Sequence, residues 1–327
     1  MTARIAVLVL AHQAVPLQGL LRCLDDRFRI FIHMDAKTEL GAGQKRVPGH
    51  ASLIAPRLPV FWGGWSMVQA TLALIDAARA AADFRRYALV SGDSLPVLPQ
   101  DRLEAALLDE EREFIDLEEV PDDPSLAGLD ETAGTARHGN VQPWRRYNPV
   151  YWDHRLLNPF QREAAAQHYG VTQDQMDWLR GDAARLVRDL LAERHPPCPY
   201  PSFWHGAQWW ALTGHTIAHL RPELARPDVQ RWFSAIQVPD EHAFHTALAN
   251  NHQWLANRRV VGSPMWTDHA KRAQGTPSLD AEDFRTAAAR HPQILFARKF
   301  NPADTPALAA AIATGHYERD VLGGMSG

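Results

Sequence analysis

The chain is expected to fold as an α/β protein with a Rossmann-like central sheet flanked by helices, and three stretches of sequence predict it. Ile5 to Ala11 is an unbroken apolar run. Leu17, Leu20, Leu21 and Leu24 then fall on one helical face, and Phe28 to Met34 is a second apolar run. A helical period between two short continuous runs marks a helix crossing between buried strands. The pattern then repeats. After Trp65, the stripe Val68, Leu72, Ile75 and Ala78 predicts a long helix, opened by Ser66 and Gln69 in capping-box spacing, and Tyr87 to Val90 is the next strand. Strands and helices in alternation build a sheet whose ligands lie outside the carboxyl ends of its strands.

The remaining elements follow in order. From about Glu118 to Phe160 the periodicity gives way to Pro, Asp, Gly, Arg and aromatic residues, which predicts a long ordered loop over the site. Thr172 and Gln175 repeat the capping-box spacing, ahead of a helix with Met176, Leu179, Ala183, Leu186 and Leu190 on its core face. Next come an aromatic strand from Trp204 to Leu212, a helix opened by Asp240 and a strand near Val260. A closing helix has Thr305 as its cap and Pro306 at its first position. No internal repeat or low-complexity tract interrupts this order.

Composition restricts the function classes. The 327 residues are 46% hydrophobic and 22% charged, the profile of a globular chain able to bury a large core. The net charge of -4 provides no basic stripe for a nucleic-acid backbone, so nucleic acid is not an expected partner. The opening apolar run is too short to span a bilayer and lacks a signal-peptide cleavage pattern. With only Cys23 and Cys198, no disulfide framework is expected. These features predict a cytoplasmic protein without a transmembrane segment.

Acidic overall, the chain nevertheless sets two adjacent cations between apolar residues in Phe296-Ala297-Arg298-Lys299-Phe300, which marks a place where an anion is expected. Six other segments accompany it in order: Leu8-Val9-Leu10-Ala11-His12, His33-Met34-Asp35-Ala36-Lys37, Trp62-Gly63-Gly64-Trp65-Ser66-Met67-Val68-Gln69-Ala70, Leu89-Val90-Ser91-Gly92-Asp93-Ser94-Leu95-Pro96, Gly206-Ala207-Gln208-Trp209-Trp210-Ala211-Leu212 and Pro239-Asp240-Glu241. Together they resemble the core-2 and I-branching β-1,6-N-acetylglucosaminyltransferases and their relatives the peptide O-xylosyltransferases. The resemblance spans most of the chain. It implies a single GT-A catalytic domain over residues 1–327, with a nucleotide-sugar half to about 117 and an acceptor and diphosphate half from about 118. It further implies an inverting transfer from a UDP-sugar, GlcNAc first and xylose second, to a hydroxyl of a glycan, glycolipid or glycoprotein.

Transferases of this architecture commonly hold the diphosphate through a metal bound by Asp-x-Asp, a motif this sequence lacks. Members of the resembled family often use C-terminal basic residues instead, and Arg298 and Lys299 match those positions. No metal or other cofactor is therefore expected. One fixed cation about 4 Å from the developing charge contributes roughly 4 kcal/mol at an effective dielectric of about 20. That corresponds to about a thousandfold in rate. Arg offers a planar fork to phosphate oxygens and Lys a point charge.

Inversion needs one general base for the acceptor hydroxyl. Asp93 lies just past a strand end and matches the base of the xylosyltransferase branch. The other branch carries a Glu shortly before the glycine of the aromatic strand, whereas Tyr200-Pro201-Ser202-Phe203-Trp204-His205-Gly206 holds no carboxylate. Weight shifts to Asp93, with Glu241 in reserve. The resemblance assigns Asp35 to the uridine moiety, assisted by Lys37, with His12 at the neighbouring strand end. His33 reads as a structural histidine. Trp62, Gly63 and Ser66 are expected to form the turn beneath the nucleotide, since glycine permits close approach and the following helix offers free amides. Trp144, Arg145 and Trp209 combine ring faces with donors and are expected at the acceptor.

Two further readings use the same residues. Glu241-His242-Ala243-Phe244-His245 sets two histidines three apart, although not in the His-Glu-x-x-His order of a zinc protease, and His33-x-Asp35 with Gly92-Asp93 could serve a metal-dependent phosphoesterase. A non-catalytic sugar-binding protein of the same fold is the other, because the Glu before Gly206 is missing. The acceptor, the linkage and the oligomeric state are open at this level.

Overall fold

In the computed structural model, which describes residues 4–41, 46–120, 198–234, 236, 238–267, 278–290 and 292–323, the first apolar run is strand β1 (Ile5–Ala11). It leads through α1 (Ala14–Arg22) into β2 (Phe28–Met34) and β3 (Ala51–Leu53). Helix α2 (Trp65–Ala81) then carries the chain to β4 (Arg86–Ser91). Strand β9 (Ala211–Thr213) completes a five-stranded sheet of order β3-β2-β1-β4-β9, in which β9 alone is antiparallel to its neighbour. In register, Leu8 faces Phe31 on one side and Leu89 on the other. β1, β2 and β4 are buried along nearly their whole length, which explains why they read as continuous apolar runs. The molecule is thus mixed α/β, with a mixed central sheet flanked by helices.

The topology has a switch point. From β1 the chain crosses to β2 on one side, then returns through α2 to β4 on the other, leaving a crevice between the carboxyl ends of β1 and β4. Gly92 closes that crevice tightly, since a Cβ there would lie 2.7 Å from the Ala11 Cβ. Just past it, β5 (Ser94–Pro96) pairs antiparallel with β12 (Phe296–Arg298), which runs parallel to β11 (Met265–Thr267). Ser94 faces Arg298 in that register, so the C-terminal cations arrive beside Asp93. Phe296, Ala297 and Phe300 are buried around them.

Around this core, α3 (Gln100–Leu107) is followed by β6 (Arg112–Glu113), parallel to β10 (Arg259–Val260), and by β7 (Glu118–Val120), antiparallel to β8 (Phe203–His205). Helices α4 (Gly214–Glu223), α5 (Pro227–Phe233), α6 (Ala243–Ala249), α7 (His252–Ala256), α8 (Ala281–Arg290) and α9 (Pro306–Ala313) complete the described chain. Among the described residues, no helix is long and apolar enough to cross a membrane.

Several local expectations are corrected. Trp204 to Leu212 is not one strand but β8 and β9, with the bridge Gly206–Trp210 between them, and both Trp209 and Trp210 are buried. Both tryptophans lie outside either strand. Ser66 does not cap α2; Gly64 occupies that position, and the Ser66 hydroxyl accepts the Phe61 N–H at 2.8 Å instead. Asp240 sits in a single 3-10 turn, Pro239–Glu241, ahead of α6. Thr305 holds the cap position of α9, but its hydroxyl donates to Asn301 O at 2.8 Å. The expected loop from Glu118 begins as strand β7, and its remainder, with Trp144, Arg145 and the helix expected from Thr172, lies outside the described residues.

Candidate functional site

The candidate residues lie along the carboxyl edge of the sheet, with one group at the crevice between β1 and β4. Asp93 follows β4 and is 7% exposed. Arg298, at the end of β12, reaches it with a bidentate pair, Nε to Oδ1 at 3.0 Å and Nη2 to Oδ2 at 3.2 Å. The guanidinium also lies over the Trp209 ring, 5.1 Å from its centroid. One face of Arg298 is thereby covered by an indole and one edge by a carboxylate, while Nη1 makes no hydrogen bond among the described residues. Lys299 follows, and the Phe300 N–H donates to Asp93 O at 2.6 Å, which locks the two segments together. Burial pushes the Asp93 carboxyl up. The Arg298 guanidinium, a hydrogen bond from Ser91 and the Lys299 charge outweigh it and hold the group below the usual carboxylate range. Asp93 is therefore ionised throughout the neutral range.

At the end of β2, Asp35 is buried and shapes its own turn. Its Oδ1 accepts the Lys37 N–H at 2.9 Å and the Val60 N–H at 3.3 Å, and Lys37 Nζ lies 3.4 Å from Oδ2. The same ammonium donates to Val60 O and sits 4.5 Å from the Phe61 ring centroid. His12 follows β1, is exposed, and offers its carbonyl to Thr38 Oγ1 at 2.8 Å. His33 is structural, as its strand-end position predicts: Nε2 accepts the Leu58 N–H at 2.9 Å, and burial lowers its basicity despite Asp35 nearby. His33 and Asp35 both accept backbone amides and shape this turn.

The N-terminus of α2 opens on the same edge, because α2 runs antiparallel to the strands it joins. Trp62, 63% exposed, precedes it, and Gly63 adopts a left-handed φ of 70°. Gly63 O accepts the Val238 N–H at 2.9 Å, tying this turn to Pro239–Glu241. Glu241 enters the assembly by its backbone, its carbonyl accepting the Gly206 N–H at 3.0 Å. Asp93, Arg298, Lys299 and Trp209 are thus assembled into one cluster. Asp35, Lys37, His12, Trp62, Gly63 and Ser66 line the same carboxyl edge on the β2 and α2 side.

Three residues behind the cluster had no place in it from the sequence: Asp116 and Ser263 went unmarked, and His245 was marked only for another reading. Asp116 accepts the Ala207 N–H on Oδ2 at 3.2 Å and the Ser263 N–H on Oδ1 at 2.7 Å. Ser263 Oγ donates to Trp209 O at 3.0 Å, and His245 Nε2 bonds Ala207 O at 3.0 Å. Asp116 carried a usable signal, since it follows the apolar pair Phe114-Ile115 as Asp93 follows β4. His245 drew attention only as half of a histidine pair. The structure gives each histidine a backbone partner, His242 Nδ1 pairing with Val238 O at 2.9 Å. Among the described residues, no group of three or more His, Cys, Asp or Glu is placed to hold a metal ion. A separate cleft of about 310 Å³ opens at the opposite, amino end of the sheet, beside Arg79, Arg85, His215 and Arg258. It is remote from the cluster.

No protein-family model matches the chain, and no curated protein matches it either.

Proposed function

We propose that the protein is an inverting glycosyltransferase of GT-A type, moving a sugar from a UDP-sugar to a hydroxyl acceptor without a metal on the diphosphate. The observation that carries this reading is the Arg298–Asp93 pair beside Lys299 at the switch point of the sheet. An anion binder needs cations held where the strands end, and a transferase needs a carboxylate next to them. Both are present side by side here, and three of the seven ordered segments that resemble the N-acetylglucosaminyl- and xylosyltransferases supply them and the Trp209 ring beneath.

In this reading the diphosphate approaches Arg298 through the uncommitted Nη1, with Lys299 as the second cation. The nucleoside lies toward Asp35, Lys37 and Trp62, where the exposed indole offers a stacking face and the first amides of α2 face the ligand. The acceptor oxygen forms its bond to the anomeric carbon as the bond from that carbon to the UDP oxygen breaks. The electron pair leaves with UDP, toward the two cations. The acceptor proton passes to Asp93, whose carboxylate retains lone pairs beyond the two that face Arg298. Glu241 is the reserve base. GlcNAc and xylose are the sugars to try first.

Calorimetric titration with UDP and a panel of UDP-sugars in excess chelator tests the reading without knowledge of the acceptor. Micromolar UDP binding is expected, weakened at least about a hundredfold by Arg298→Ala and by Lys299→Ala. Binding that appears only with manganese would overturn the metal-free part. Its absence under both conditions would overturn the donor assignment.

A further inference from the structure

The bridge Gly206–Trp210 carries Trp209 to the underside of Arg298, yet it belongs to no strand and lies between two elements of different sheets. Its backbone groups are therefore satisfied from outside, and three of them by side chains. Asp116 Oδ2 takes the Ala207 N–H, His245 Nε2 donates to Ala207 O, and Ser263 Oγ donates to Trp209 O. Asp116 is the hub, because its other oxygen takes the Ser263 N–H at 2.7 Å, fixing the residue that in turn fixes Trp209. Gly206 lets the bridge pass this close: a Cβ there would lie 2.6 Å from Asp116 Cβ and 2.7 Å from the His245 ring. His245 is fully buried, and with Nε2 donating, its bare Nδ1 has no hydrogen-bond partner among the described residues. Its ring is held for the single bond to the bridge.

We infer that Asp116, Ser263 and His245 are positioning residues for the donor-binding cation: they clamp the bridge so that the Trp209 ring supports the Arg298 guanidinium in the orientation that aims Nη1 at the incoming anion. That Arg298 meets a diphosphate rests on the reading above; that the three side chains orient Arg298 does not. An aromatic face under a guanidinium is worth roughly two- to thirtyfold in an equilibrium constant, increasing as the pair is desolvated. The Trp209 ring is buried, and the Arg298 side chain is 17% exposed. Loss of the clamp would leave both groups in the protein but out of register.

Two measurements on the full chain test the inference. The first is UDP affinity in chelator for Ser263→Ala, Asp116→Asn, Trp209→Leu and the double variant Ser263→Ala/Trp209→Leu. Each single variant is expected to bind UDP about tenfold more weakly, and the double variant no more weakly than Trp209→Leu alone, because Ser263 acts through Trp209. Additive losses would overturn the inference, since a general loosening of the fold adds to the removal of Trp209. The second is the NMR signal of the Arg298 Nε–H, assigned with Arg298→Lys and slowed in solvent exchange by its bond to Asp93. It is expected to shift and exchange faster in Ser263→Ala and Asp116→Asn, without any ligand. An unchanged signal in both variants would overturn the inference even where UDP binds the wild type normally. If UDP fails to bind the wild type, the donor reading fails, and the NMR comparison alone decides the clamp.

Discussion

At the residue scale, the proposed chemistry requires Asp93 to be charged and oriented, and Arg298 provides both. A carboxylate this buried would ordinarily retain its proton more tightly, but the bidentate guanidinium reverses that tendency. Because its folded pKa lies below the unfolded value of 3.8, the stabilisation from Asp93 is complete above that value. It is lost only as pH falls through the folded pKa, so the pair persists across pH 5 to 8. Asp93→Asn should cost about 1.5–3 kcal/mol in urea unfolding, the range for hydrogen bonds to charged groups. It should also lower turnover at least about a hundredfold, read as UDP release. Wild-type turnover in this variant would remove Asp93 from the base role.

His245 behaves in the opposite way to a surface histidine. Burial pushes its pKa down to about 3 from an ordinary 6.5, so the native state holds it neutral where the unfolded chain binds a proton. Stability from this group is complete above pH 6.5 and declines by about 1.4 kcal/mol for each pH unit below it, until about pH 3. Between pH 7 and pH 5 the wild type should lose about 2 kcal/mol more than His245→Gln, measured by urea unfolding at the two pH values. Equal losses would mean that His245 is not held neutral in the native state.

At the scale of elements, strands β4, β6 and β9 meet through an ion pair that no surface pattern announces. Arg86 and Glu113 are fully buried, 3.4 Å apart. The guanidinium also donates to the carbonyls of Leu107, Asp109, Arg112 and Ala211. Glu113 accepts from the Thr213 N–H, the Thr213 hydroxyl and the Thr216 hydroxyl, and Thr216 Oγ1 takes the Trp254 Nε1–H at 2.8 Å. Every participant has partners, which makes the network tolerable inside the core. Glu113→Ala leaves the Arg86 charge buried without its counter-ion and should cost about 3–5 kcal/mol. The double variant Arg86→Leu/Glu113→Ala should cost less than the sum of the two single changes, a comparison that urea denaturation makes directly.

The elements themselves were largely legible. β2 begins and ends where its apolar run does, and α1 buries Leu17, Leu20 and Leu21 as their spacing requires. Periodicity succeeded because these elements bury a face or a whole strand in one core. It failed at Trp204 to Leu212, where a run of aromatic residues is buried by neighbours from several elements and not by strand pairing. It failed again at Ser66, whose spacing to Gln69 fits a cap while its hydroxyl satisfies the nearer amide of Phe61.

At the scale of the whole molecule, the site depends on how closely the carboxyl ends of β1 and β4 approach. Gly92 sets that distance, its N–H donating to Leu10 O at 2.8 Å while its Cα faces Ala11. Gly92→Ala must part the two strand ends, since the added Cβ would sit 2.7 Å from the Ala11 Cβ, at a cost of about 1–3 kcal/mol typical of overpacking. Asp93 moves with its neighbour, so UDP affinity should fall as well. Thermal unfolding and calorimetry on one sample check both. A variant that melts lower yet binds UDP as the wild type does would show that the crevice tolerates the displacement.

From its sequence alone, the chain specified an α/β sheet, the order of its first strands and helices, and two adjacent cations set between apolar neighbours near the C-terminus. Each of these is written in the spacing of apolar residues along a few turns or one strand, and burial imposes that spacing locally. Only the tertiary structure decided that Arg298 pairs with Asp93, 205 positions away, and that Asp116, Ser263 and His245 hold Trp209 beneath it. Those contacts come from the antiparallel register of β5 with β12 and from a bridge that no strand claims. Hydrogen bonds between side chains distant along the chain leave no period in the sequence, because their geometry exists only once the core has brought the elements together.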